Sequence, residues 1–169
     1  MSIPDPLLLD VLIAGYESCA QAKQDTSAAR QAYELADAAR RLSICLVLSD
    51  EAGTVIIRDG FDSALPQASP GYGLAAALAA AACAQRGTSV ALSAGPSSDA
   101  LDPAMVSGAQ SALSAAELER IAEHLCTCCA AVIAVCDSCL SDEMAECIRG
   151  PRRVISSVPD LTSGTKGQW

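Results

Sequence analysis

Nine cysteines in 169 residues are the most conspicuous chemical resource of this chain. Five of them fall in two groups: Cys126, Cys128 and Cys129, then Cys136 and Cys139. Written as C-x-C-C…C-x-x-C, the pattern invites a zinc or iron–sulfur site, since thiolates ligate both. Geometry argues against one shared site. If residues 130–135 form a strand, six residues at ~3.3 Å each put about 20 Å between the groups. Tetrahedral zinc needs its ligands within a few ångströms of one another. The expectation is therefore no metal and no cofactor, with cysteine used as a small buried apolar residue. Cys136-x-x-Cys139 keeps the spacing of a redox pair and is the redox candidate. A helix beginning only after the second cysteine would not give the first the activation such pairs use.

Two loops offer places for a ligand. One follows an expected strand and contains Arg58, Asp59, Gly60 and Phe61, then Ser69-Pro70-Gly71-Tyr72-Gly73 leading into a helix. Its candidate residues are Asp59, Gly60, Ser69, Gly71 and Gly73, because small residues and free backbone N–H groups at a helix start can hold a small carboxylate or a phosphate. Neither the dinucleotide fingerprint nor the P-loop pattern is present, and an ordinary capped connection is the competing reading. The other loop follows Val135 and supplies Asp137 and Ser138. Asp137 lies where catalytic carboxylates often lie, and equally where a helix cap would. His124 is the only histidine and shares a polar helix face with Glu117 and Arg120. A Ser–His–Asp triad would have to use it, and no G-x-S-x-G elbow occurs, which disfavours hydrolase chemistry.

These residues need elements to position them. Asp5-Pro6 reads as a helix start, with Leu7, Leu8, Val11 and Leu12 as one apolar face of a helix ending near Lys23. Asp25-Thr26 reads as the cap of a second helix over 27–42, with i,i+4 pairs Arg30–Glu34 and Asp37–Arg41. Continuous apolar runs predict buried strands over 44–48, 54–57 and 131–135, with another over 89–92 and a last one over 153–155. Residues 73–85 form an Ala-rich helix that is apolar almost all round, ended by Gly87. Residues 94–108 read as loop. Ser114 to Glu117 is a capping box for a helix over 115–128. Ser141 caps a short helix to Arg149, stopped by Gly150-Pro151. The alternation predicts an α/β fold: a single three-layer domain over 1–161, with a parallel or mixed sheet flanked by helices, and a flexible tail over 162–169. A hairpin of 44–50 with 54–59 around Glu51-Ala52-Gly53 would instead suit a ligand-sensing domain of the GAF or profilin-like kind.

Composition narrows the setting. The formal net charge is −9, from 20 acids and 11 bases, which argues against nucleic acid and anionic membrane partners. The basic knot of Arg149, Arg152 and Arg153 is too small to reverse that. The apolar stretch over 74–84 is well short of the ~18 residues a membrane span needs. Met1-Ser2-Ile3-Pro4-Asp5 has neither the positive nor the apolar region of a secretory signal, and an odd cysteine count does not suggest a disulfide framework. The expected setting is the cytoplasm, or an organelle matrix after processing. The uncharged 73–85 helix needs cover on its outer side, from the first helix or from another chain. The expectation drawn from it is a homo-oligomer or a complex.

Three blocks of the sequence resemble the D-glutamate cyclase family. They are Val55-Ile56-Ile57-Arg58-Asp59-Gly60-Phe61, then Ser69-Pro70-Gly71-Tyr72-Gly73-Leu74-Ala75, then 131–135 followed by Ile148-Arg149-Gly150 and Val154-Ile155-Ser156. The resemblance covers about residues 54–160 and implies a lyase-type fold that acts on a small amino-dicarboxylic acid. Where the family has Thr-Asp-Gly before the loop proline, this chain has Gln67-Ala68-Ser69. Where the family has Glu-Arg after the later strand, it has Cys136-Asp137. The family's Gly/Asn/Glu-rich C-terminal segment has no counterpart up to Trp169. The resemblance thus implies a shortened, chemically degraded relative with a binding or structural role, working in an assembly. The alternative it leaves open is an active lyase on a small acidic amino acid.

Overall fold

The computed structural model describes residues 8–35, 42–49, 54–62, 73–88, 90–92, 103–127, 130–149 and 152–159. In chain order these give β1 (Leu8–Tyr16), α1 (Cys19–Leu35), β2 (Leu42–Ser49), β3 (Val55–Asp62), α2 (Gly73–Arg86) and β4 (Val90–Leu92). Then come α3 (Pro103–Ala112), α4 (Ala115–Thr127), β5 (Ala130–Cys136), α5 (Ser138–Cys147) and β6 (Arg152–Pro159). The strands form one mixed sheet in the order β4-β3-β2-β5-β1-β6. The α/β class with a mixed sheet is what the sequence predicts. The all-parallel option does not hold: only β3 and β4 run parallel, and the other four pairings are antiparallel. Two causes are visible. β2 and β3 are joined closely enough to fold back as a hairpin, and β5 enters between β2 and β1 rather than beside β3 or β4.

Alternating residues of the central strands feed two cores. Val11, Ile13, Cys45, Val47, Ile133 and Val135 face α2, α3 and α4. Leu12, Tyr16, Ile44, Leu46, Val132 and Cys136 face α1 and α5. This explains why β1 is a strand where a helix over 5–23 is expected. Apart from Asp10 both of its faces are apolar, and a run so poor in polar positions carries no clear period that separates helix from strand. The Asp5-Pro6 signal lies outside the described residues. α1 begins instead at Ser18, whose Oγ accepts the Gln21 backbone N–H at 3.3 Å. It continues through Asp25-Thr26, the expected cap. Thr26 Oγ1 donates to the Ala22 carbonyl at 2.8 Å, a bond made within a helix rather than at its start. The Asp37–Arg41 pair lies outside the described residues.

α2 spans nearly its expected range, and its residues from Gly73 to Cys83 are all buried. Its C-terminus is a Schellman motif. Gly87, at φ 75°, donates to the Ala84 carbonyl at 3.1 Å, and Thr88 to the Cys83 carbonyl at 2.8 Å. The expected first helix does not cover its outer side, since those residues form β1. α3 and α4 of the same chain do. The expected loop over 94–108 therefore contains a helix from Pro103 onward. Asp102-Pro103 is the same N-cap and N1 signature read at Asp5-Pro6, here taken as loop punctuation. The serine half of the expected capping box of α4 forms: the Glu117 backbone N–H donates to Ser114 Oγ at 3.1 Å, while the Glu117 carboxylate accepts from that hydroxyl, at 3.2 Å, the bond that a full box would take from the Ser114 backbone. Among the described residues no helix is long and apolar enough to cross a membrane.

Candidate functional site

One end of the sheet gathers most of the candidate residues. Cys136, the last residue of β5, pairs with Asp10 near the start of β1 and with Leu42 at the start of β2. Ser43 pairs with Asp62 at the end of β3. At this end, then, β3 and β5 finish and β1 and β2 begin. Two helices start beside it from opposite faces. α5 leaves directly from β5 through Asp137, and its Leu140, Met144 and Ile148 pack with α1. The start of α2 is fixed by Ser43, a fully buried hydroxyl whose Oγ accepts the Ala75 backbone N–H at 2.9 Å. A serine inside an apolar strand thus caps a helix that is remote in sequence. It satisfies one of the N–H groups that a helix N-terminus otherwise leaves unmade. Gly73, the first residue of α2, sits at φ 80°, a conformation side chains rarely adopt.

The candidate residues divide accordingly. Asp59 and Gly60 are not in a loop. Ile44 pairs with Phe61 and Leu46 with Arg58, so β3 carries one extra residue against β2, and Asp59-Gly60 lies in that bulge. Gly73 lies at the sheet end, whereas Ser69 and Gly71 fall outside the described residues. Asp137 precedes α5 in the N-cap position, at φ −58° and ψ 146°, but its side chain makes no capping hydrogen bond. Its carbonyl oxygen accepts the Leu140 N–H at 2.9 Å. Ser138 is the first residue of α5 and Cys139 the second, so the helix begins three residues before the Ser141 cap expected for it. The reason is that an extended Asp137 turns the chain into the helix at once. This puts Cys139 in the first helical turn and Cys136 in the strand before it.

Cys136 is almost wholly buried, and Cys19, Cys45 and Cys147 carry free thiols. Cys136 stands at the end of β5, while Cys128 and Cys129 lie outside the described residues. Among the described residues, no group of three or more His, Cys, Asp or Glu is placed to hold a metal ion. Burial pushes the Cys45 thiol up to about 12, out of reach of physiological ionisation. Cys147, half-buried on α5, is also raised, first by burial and then by Glu146, with Arg149 opposing. His124 lies on α4 with its Nδ1–H directed at the Arg120 carbonyl, 3.0 Å away. That bond accounts for it as a helix-surface residue.

The structure contains a polar cluster that the sequence reading missed. Asp25, 7% exposed, accepts three hydrogen bonds. Tyr16 Oη donates to its Oδ2 at 2.5 Å, the Arg149 backbone N–H to the same oxygen at 2.9 Å, and Gln21 Nε2 to Oδ1 at 2.9 Å. One carboxylate thus ties together the end of β1, helix α1 and the exit from α5. A signal was available: Ala22, Thr26, Ala29 and Tyr33 form the buried stripe of α1, and Asp25 falls on it. A charged residue on a core-facing stripe must be hydrogen-bonded or paired.

Compared with known proteins, the chain matches no family model, no curated protein and no solved structure.

Proposed function

We propose that this chain is a non-catalytic α/β binding domain that works within an assembly, its ligand end being the sheet end where α2 and α5 begin. The observation that carries this reading is the strand order. The central run β3-β2-β5-β1-β6 is antiparallel throughout and helices pack on both of its faces. That arrangement favours the ligand-sensing reading over a parallel-sheet enzyme. Among the named candidates, Gly73, Asp137, Ser138 and the Cys136–Cys139 segment meet at that end, and a small carboxylate is the ligand class proposed for it. The relation to the D-glutamate cyclase family remains part of the proposal: its three blocks fall on β3, on the start of α2, and on β5 through β6.

Participation in an assembly draws support from β6. This eight-residue strand forms one edge of the sheet, and among the described residues it pairs with β1 alone. Edge strands of this length are commonly covered or blunted. The all-apolar α2 no longer contributes to the argument, because α3 and α4 cover it.

Native mass spectrometry of protein purified from its source tests both halves of the reading. A bound small acid, or co-purifying chains in fixed ratio, is the expected result; a bare monomer would refute it. Incubation with D-glutamate separates the lyase alternative: loss of the substrate amine above a no-protein control would overturn the non-catalytic assignment.

A further inference from the structure

We draw no further inference here: the strongest candidate, the half-buried Cys147 thiol near the Asp25 carboxylate where α5 meets α1, is a lone cysteine with nothing at it that points to a ligand, and Asp25 already spends its hydrogen bonds on holding three segments together.

Discussion

Substitutions at Asp25 should show how far one buried carboxylate holds this fold together. In Asp25→Asn, an amide oxygen at the Oδ2 position keeps the bonds from Tyr16 and Arg149. The new amide group then faces Gln21, whose own amide can rotate to offer its oxygen. The change mainly removes charge. Hydrogen bonds to charged groups contribute about 1.5–3 kcal/mol and neutral ones about 0.5–1.5, so two weakened bonds cost about 2 kcal/mol. Asp25→Ala removes the acceptor altogether. Burying a donor without its partner costs about 1–3 kcal/mol, and two such donors are deprived here, giving about 4 kcal/mol. Gln21 is exposed and turns to water. Tyr16→Phe removes a single donor and should cost about 1.5 kcal/mol. With a urea dependence of about 2 kcal/mol per molar, the midpoints fall by about 1 M for Asp25→Asn, about 2 M for Asp25→Ala and about 0.8 M for Tyr16→Phe. The double variant Tyr16→Phe with Asp25→Ala should be little worse than Asp25→Ala alone, a coupling of at least about 1 kcal/mol. An Asp25→Ala midpoint within about 0.3 M of the parent, or two effects that simply add, would refute the reasoning.

Three further outcomes are expected. Ser114→Ala removes the acceptor for the Glu117 N–H and should cost about 1 kcal/mol; an unchanged denaturation midpoint would mean the capping box contributes nothing. Ser43→Ala deprives the buried Ala75 N–H of its acceptor, at about 1–3 kcal/mol, and should speed hydrogen exchange at Ala75 while leaving the first turn of α4 unaffected. The thiol of Cys45 should make stability fall at alkaline pH. Its folded pKa, about 12, lies above the thiol's ordinary value of 9.0, so unfolded chains ionise first and stability is lost as pH rises between those values. Cys45→Ala should flatten that limb of the stability-versus-pH curve, and an equally steep limb would contradict the assignment.

The central strands β2, β3 and β5 were legible because unbroken apolar runs of that length suit a sheet covered on both faces. Helices α2 and α4 were legible because Gly87 and the Ser114–Glu117 box are local signals that tertiary context did not override. β1 was not legible although, Asp10 aside, it is as apolar as β5, because Asp5-Pro6 nearby suggested a helix. Strand direction was left open between parallel and mixed because alternation of helices and strands does not fix it. The few residues between β2 and β3 did carry that information, as the hairpin alternative for 44–50 with 54–59 had it. Of the candidate residues, Gly73, Asp137, Ser138 and the two cysteines lie at one end of the sheet, on elements packed against opposite faces, while Asp59-Gly60 entered a bulge that the glycine inside a strand pattern could have signalled. Ser43 escaped notice because it stood just outside the expected strand, and Asp25 because it read as a helix cap, although burial in an apolar setting is what obliges each to bond inward.

The position of β1 has a consequence for how the chain is made. Among the described strands it is made first, yet its two neighbours are made last: Tyr16 pairs with Ala130, and Leu8 with Pro159. Much of what lies between is local, a hairpin and the helices that follow it, and can take shape as it emerges from the ribosome. A nine-residue, largely apolar strand meanwhile waits with both edges open until residues 130–159 have been made. Closing loops of that length before any contact repays them is slow, and an exposed strand in the interval is prone to aggregate. A nascent chain stalled ahead of residue 130 should accordingly bind holdase chaperones through residues 8–16, and release them once β5 is complete.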